Sequence, residues 1–351
     1  MLCALIMAGG KGTRFWPLST EEKPKQFLKL VCEDTMIQMS VKRLEKLIPI
    51  ERIFIVTGKR YTNLVKKQLP DLPIRNIIIE PVGKNTAPCI ALSAFHINKI
   101  YQDATIAVLP SDHLIEDVDN FLEILNSADI FVNKNEESIV TIGMKPDRPE
   151  TGYGYINYSH VNCTINGCEV RNVKKFVEKP YLHMAEEYLE DGNYLWNGGM
   201  FIWKAVNILR LTRLLLNDTF EVLNEIAATC EEDYHRVLEE KYDNIDSISV
   251  DFGIMEKAKD IYVIPGDFGW DDVGSWEAVE RYREKDCDNN VCIGQVKKFG
   301  CSNNIIISNG KPIVISGLQD IFVVESDDMI FVGKKDEMES IKGLRNKISY
   351  N

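Results

Sequence analysis

The sequence predicts an α/β protein, a Rossmann-like mixed and mostly parallel sheet followed by a small all-β module. Three observations lead there. Apolar runs of strand length alternate with helix-period stretches through the first half. The first run empties into a glycine loop flanked by cations. After about Asp288 the pattern changes to short β-rich stretches, spaced roughly ten residues apart.

The first-half strands are expected at Ala4–Ala8, Ile53–Thr57, Ile77–Glu80, Thr105–Leu109 and Ile139–Gly143. Between them, Met36, Ile37, Val41, Leu44 and Leu47 recur at helical spacing, and Thr35 is placed to cap that helix. Another helix should begin near Thr86-Ala87-Pro88, with Pro88 in its first turn, and run to about Tyr101. Such alternation builds right-handed βαβ units, whose ligands lie beyond the carboxyl ends of the strands. The middle section mixes strands (Tyr153–Tyr158, Val170–Val177, Leu195–Trp203, Ile261–Pro265) with helices (Met184–Glu190, Ala205–Leu216). In the tail, Val291–Val296, Asn304–Ile307, Pro312–Ile315, Ile321–Val324 and Met329–Val332 are separated by turn residues such as Asn309-Gly310-Lys311. A few coils of a β-solenoid and a small sandwich both fit this repetition. A terminal helix is expected near Asp336–Lys347.

At 351 residues the chain exceeds one typical core. No glycine- or proline-rich linker precedes residue 285, so the expected division is a larger domain, 1–285, and a β-rich module, 286–351. The formal net charge of −12 repels polyanions and argues against general nucleic-acid binding. No apolar run is long enough to cross a membrane, and Met1-Leu2-Cys3-Ala4 leads straight into a strand rather than a signal peptide. Nine cysteines, an odd count without C-x-x-C spacing, read as reduced thiols in a cytoplasmic protein.

Leu5-Ile6-Met7-Ala8 runs into Gly9-Gly10-Lys11-Gly12-Thr13-Arg14, with Lys23 and Lys25 close behind. Glycines let backbone N–H groups approach a phosphate, and the cations add charge that peptide dipoles lack. No G-x-x-x-x-G-K-[ST] motif lies near residue 10. A dinucleotide fingerprint fails too, because Phe15 stands where a small residue is needed. The loop therefore suits a nucleoside triphosphate or sugar phosphate held in a local positive pocket. Strand Thr105–Leu109 ends in Pro110-Ser111-Asp112-His113, and Asp271-Asp272 sits among glycines and aromatics. Two carboxylates from separate elements, completed by phosphate oxygens, can hold Mg²⁺. Asp271 or Asp272 could equally cap the helix that starts near Ser275.

These residues resemble the sugar-nucleotide pyrophosphorylase family. The resemblance rests on Gly9 to Arg14, Trp16-Pro17-Leu18-Ser19, Lys23 to Phe27, Glu80-Pro81 with Asn85 to Pro88, and Leu109 to His113. Thr151 to Ile156, Phe176 to Pro180, Trp196 to Phe201 and Trp270 to Trp276 complete it in order, while the tail is less diagnostic. It implies a nucleotidyltransferase, GT-A-like fold and the variant that joins GTP to α-mannose 1-phosphate with Mg²⁺. By resemblance, Arg14, Lys25, Asp112 and Asp272 are catalytic, with Asp112 and Asp272 on the metal and Asp271 left open. Ala8, Gly9, Gly10, Gly12, Thr13, Arg14, Glu80, Asn85, Thr86 and Ser111 would bind nucleotide. Lys25, Gly154, Glu178, Lys179 and Asn197 would bind the sugar phosphate.

Many family members carry a further isomerase domain; the end at Asn351 leads us to expect a single-function enzyme, and the tail a homodimer. The rivals are another hexose 1-phosphate and NTP pair, a non-catalytic sugar-nucleotide-binding subunit, and a glycosyltransferase. Arg14 and both metal carboxylates are retained, against the second; the acids do not cluster as D-x-D, against the third.

Overall fold

The structure is a computed structural model; it describes residues 1–10 and 12–341, without the side chains of Thr13, Glu339 and Ser340. In chain order the strands are β1 (Leu2–Met7), β2 (Ile53–Gly58), β3 (Ile77–Glu80), β4 (Thr105–Pro110), β5 (Leu114–Ile115), β6 (Ile139–Met144), β7 (Gly154–Ile165), β8 (Cys168–Val177), β9 (Tyr194–Lys204), β10 (Ile261–Gly266) and β11 (Trp270–Asp271). The tail adds β12 (Val291–Ile293), β13 (Val296–Phe299), β14 (Ile305–Ile307), β15 (Ile313–Ser316), β16 (Ile321–Glu325) and β17 (Ile330–Lys334). The helices are α1 (Met36–Glu45), α2 (Thr62–Gln68), α3 (Thr86–Ile100), α4 (Val118–Lys134), α5 (Leu182–Asp191), α6 (Ala205–Leu215), α7 (Asn217–Ala228), α8 (Glu231–Lys241) and α9 (Trp276–Tyr282).

Each predicted strand and helix up to residue 285 is present with small shifts at its ends, except that the strand expected at Tyr153–Tyr158 continues to Ile165. At the start of α1, the Thr35 N–H donates to Gln38 Oε1 at 3.0 Å, the reciprocal half of a capping box. Helices α2, α4, α7 and α8 were not anticipated. The first half supplies the crossovers that parallel pairing requires, as in β1 with β2 and β4, and β2 with β3.

Contacts group the chain into two units. The larger comprises 1–9, 40–111 and 115–270. Its sheet has the order β3-β2-β1-β4-β9-β6-β10-β8-β7, with β9 antiparallel between β4 and β6. Alternate residues of the central strands (Cys3 and Leu5, Ile106 and Val108, Phe201 and Trp203) join a core with α3, α6 and α7. Strands buried this way read as continuous apolar runs, which is why they were visible in the sequence.

The smaller unit comprises 10–39, 112–114 and the chain from Asp271 onward. This grouping differs from a single cut at residue 285, because Phe15, Trp16, Val273 and Trp276 share one core with Ile305, Phe322 and Val324. Trp276 lies edge-on to Phe15 at 5.0 Å and to Phe322 at 4.9 Å between ring centroids. In the tail, β12, β14 and β16 stack in parallel register (Val291, Ile305, Phe322), as do β13 and β15. Parallel stacking identifies a short β-solenoid. Buried Asn290 and Asn304 tie successive coils, Asn304 Nδ2 donating to Asn290 Oδ1 at 2.9 Å and to the Leu318 carbonyl at 3.0 Å. The terminal helix expected near Asp336–Lys347 lies largely outside the described residues; Lys335–Ser340 is a 3-10 helix.

Phe322 is fully buried against Trp276 and Phe331. Phe322→Ala should therefore destabilise the smaller unit by about 3–5 kcal/mol, measured by urea unfolding followed through tryptophan fluorescence. A loss below about 1 kcal/mol would show that this core does not hold the unit together.

Candidate active site

In the smaller unit the loop after β1 folds back on itself. Gly12 adopts φ +46°, and a Cβ there would lie 2.7 Å from the Lys25 nitrogen, so only glycine fits. Gln26 Nε2 donates to the Gly10 carbonyl at 3.2 Å and steadies the loop. Lys25 opens a short 3-10 turn, Lys25–Phe27, entered through Pro24. Its side chain is 5% exposed, and its Nζ donates to Asp112 Oδ2 at 2.9 Å and to the Asp272 carbonyl at 2.5 Å. Arg14, largely exposed, sets Nη1 3.3 Å from Asp272 Oδ2. The structure thus links Arg14, Lys25, Asp112 and Asp272, four residues spread over 258 positions, in one chain of alternating charge. Burial pushes the Asp112 carboxyl up, yet the Lys25 ammonium, helped by His113 and Arg14, holds it below the ordinary carboxylate range.

In the larger unit Gly154, Glu178 and Asn197 come together where β7, β8 and β9 adjoin. A Cβ on Gly154 would lie 2.5 Å from Glu178 Oε2, so glycine is what admits that carboxylate. Asn197 Oδ1 accepts from the Gly199 N–H at 3.0 Å, which aims Nδ2 at Asp251 Oδ1, 2.8 Å away. Lys179, at φ +44°, has its Nζ 3.3 Å from Glu178 Oε1. Burial first, then the neighbouring Glu178 charge, raises the Asp251 carboxyl above its ordinary value despite the Asn197 bond. Sequence reasoning missed Asp251. An acid entering the otherwise apolar Val250–Met255 stretch was the available signal.

The expected nucleotide residues of this unit form another group. Ala8 is held by β2, its N–H donating to the Val56 carbonyl and its carbonyl accepting from Thr57 Oγ1. Glu80 is buried; Oε1 accepts from Tyr242 Oη at 2.7 Å and the Lys84 N–H at 3.1 Å, and Gly9 lies beside Oε2. Burial raises this carboxyl although both bonds oppose it. Asn85, at φ +70°, caps α3 with Oδ1 accepting from the Thr86 N–H at 2.8 Å. Thr86 Oγ1 accepts from the Val250 N–H at 2.8 Å, tying α3 to the segment that carries Asp251. Ser111 is buried, its carbonyl accepting from Ser40 Oγ at 3.1 Å. The backbone of Thr13 falls in a 3-10 turn, Thr13–Phe15; Lys11 and the Thr13 side chain lie outside the described residues.

A glycine loop after the first parallel strand, with two cations on two carboxylates, is the arrangement of a transferase that works on phosphates. The family model described as Nucleotidyl transferase matches residues 3–289. The chain is 36% identical over 98% of its length to Mannose-1-phosphate guanylyltransferase 2 of Escherichia coli O157:H7, covering 72% of that protein. It is 35% identical over its full length to a mannose-1-phosphate guanylyltransferase of Salmonella muenchen, covering 74% of it. The crystal structure named mannose-1-phosphate geranyltransferase, from Thermus thermophilus, superposes with TM-score 0.82 at 30% identity, over 99% of this chain and 98% of that one. The chain belongs to the nucleotidyl transferase family, among the mannose-1-phosphate guanylyltransferases.

Asp251 carries a testable electrostatic burden. Its raised folded-state value means that its contribution favours folding below the unfolded value of about 3.9 and is lost as pH rises through the folded value. Asp251→Asn, which keeps an acceptor for Asn197, should raise the melting temperature at pH 7.5 by about 1–3 °C. The gain should shrink toward pH 4; a variant no more stable than wild type at pH 7.5 would contradict this reading.

Proposed function

We propose that the chain transfers GMP from GTP to α-mannose 1-phosphate, forming GDP-mannose and pyrophosphate. The observation that carries this is the Lys25 ammonium held between the Asp112 carboxylate and the Asp272 carbonyl, with Arg14 on the Asp272 carboxylate. The named activity of relatives matching along nearly the whole chain supports the choice of substrates.

The reaction joins two polyanions, so its difficulty is repulsion and alignment. An oxygen of the sugar phosphate forms a bond to the α-phosphorus while the bond from that phosphorus to the bridging oxygen of the β-phosphate breaks. The nucleophile is already an anion, and no general base is required. Lys25 neutralises the sugar phosphate and the α-phosphate as they meet; Arg14 takes up charge on the departing pyrophosphate. The N–H groups of the glycine loop cradle the triphosphate, with Glu80, Asn85, Thr86 and Ser111 on the nucleoside side. Glu178 accepts mannose hydroxyls, Asn197 and Gly154 shape the pocket around them, and Lys179 holds the phosphate.

Asp112 and Asp272 fit Mg²⁺ by their chemistry: two hard carboxylates on residues that Lys25 joins, Asp112 through its side chain and Asp272 through its carbonyl. Among the described residues no cluster of three or more His, Cys, Asp or Glu forms a complete protein cage, which suits an ion that takes its other ligands from phosphates and water. When bound, Mg²⁺ supplies neutralisation of phosphate charge. We also propose a homodimer, supported by the exposed Phe299, Val314, Ile330 and Val332 of the solenoid. A reducing cytoplasmic setting is supported by nine unpaired cysteines, and no described helix is long and apolar enough to cross a membrane.

The test is to incubate the chain with each α-hexose 1-phosphate and each NTP plus Mg²⁺ and follow pyrophosphate release. GDP-mannose should form fastest; faster product from glucose 1-phosphate with UTP or dTTP would overturn the substrate assignment. Lys25→Ala and Asp112→Ala should each lower kcat by about 10²–10⁴-fold with little change in melting temperature. Sedimentation should give the mass of two chains.

A further inference from the structure

Asp271 and Asp272 are adjacent, yet the structure gives them different work. Asp272 presents its carbonyl to Lys25 and its carboxylate to Arg14. Asp271 turns the other way, with a side chain only 13% exposed. Its Oδ1 accepts from the Val273 N–H at 2.6 Å, and its Oδ2 accepts from Arg281 Nη1 at 2.8 Å and Tyr282 Oη at 3.1 Å. Both donors to Oδ2 sit in the last turn of α9, and Ser275 stands at the N-cap of that helix. One carboxylate therefore bridges the turn to the far end of the helix that follows.

The turn needs such a clamp. Val273 is fully buried at φ +46°, a left-handed conformation that a β-branched residue rarely adopts. Val273 is held in the core with Phe15 and Trp276, so its side chain cannot swing out to relax the backbone. The bond from its N–H to Asp271 two residues back is an Asx turn, a local substitute for ladder pairing. With the Val273 side chain fixed by the core, loss of that bond leaves the Asp272–Val273 peptide without its partner, so the Asp272 carbonyl and carboxylate can turn away from Lys25 and Arg14.

We infer that Asp271 is a positioning residue: it does not touch the reacting phosphates or the metal, but locks the strained Asp272–Val273 turn that offers Asp272 to Lys25, Arg14 and the divalent cation. This rests on the guanylyltransferase reading above for the role of Asp272. Asparagine at 271 keeps an acceptor for the Val273 N–H and so preserves most of the clamp, whereas alanine removes it.

The experiment compares Asp271→Ala, Asp271→Asn and Arg281→Met with wild type in GDP-mannose formation. Mn²⁺ binding to the GTP-loaded protein is followed in parallel by electron paramagnetic resonance, and folding by thermal melts. Asp271→Ala should lower kcat by about 10–100-fold, leave the KM for mannose 1-phosphate within about twofold, and weaken Mn²⁺ by about tenfold. Asp271→Asn should recover to within about threefold of wild type in both readouts. If Asp271→Asn is as damaged as Asp271→Ala in Mn²⁺ binding, Asp271 is a direct ligand and the inference is wrong. It is equally wrong if Asp271→Ala keeps wild-type kcat and Mn²⁺ affinity. Should Asp271→Ala fail to fold, Arg281→Met decides, since it removes one donor to Oδ2 and leaves the Asx turn. A fall in kcat of about threefold or more with Mn²⁺ weakened in parallel supports the clamp, and no change in either overturns it. Wild type that makes no GDP-mannose would refute the functional reading instead, while the Mn²⁺ comparison would still judge the role of Asp271.

Discussion

The placement of one ammonium group organises the catalytic loop. Lys25 is almost sealed from solvent, and a buried charge is tolerated only when its donors are met by acceptors. Asp112 and the Asp272 carbonyl meet them, so within the smaller unit the glycine loop, Asp112 and the stretch from Asp271 to Trp276 are bound to one point. The same acceptors are oxygens suited to a divalent cation. Lys25, Arg14, Asp112 and Asp272 thus form a balanced set of opposite charges.

The cluster of Gly154, Glu178, Asn197 and Asp251 follows a different logic. Burial and the nearby Glu178 charge disfavour ionised Asp251, and the Asn197 amide, oriented by its bond with the Gly199 N–H, offsets only part of that cost. The Lys179 ammonium, 3.3 Å from Glu178 Oε1, is the cation beside this pair of acceptors. Burial likewise raises Glu80, whose carboxyl group lies beside Gly9.

The grouping of the chain into units follows from where aromatic side chains find cover. Phe15 and Trp16 follow the glycine loop directly, and they pack with Trp276 and the solenoid strands rather than on the nine-stranded sheet. The motifs that carry phosphate chemistry are thereby anchored in the same core as the tail. A β-solenoid whose own coils are few gains a larger core this way.

Periodicity and motif spacing made the sheet strands, several of the flanking helices and the glycine loop with its cations legible from sequence alone. These are local signals: buried strands are apolar runs, helices repeat at 3.6 residues, and glycine with arginine and lysine marks a phosphate loop. Asp251 was not legible, because its meaning lies in a partner 54 positions away, Asn197. Resemblance favoured Asp272 over Asp271, but the part Asp271 plays was hidden, since adjacent acids look alike until the turn at Val273 aims one toward Lys25 and Arg14 and the other toward α9. Solenoid or sandwich, too, waited on register, as strand pairing is a long-range choice. Sequence determined which elements and chemical groups exist; only the tertiary structure decided which groups share a hydrogen bond, because distant carboxylates and cations acquire roles through burial and mutual approach.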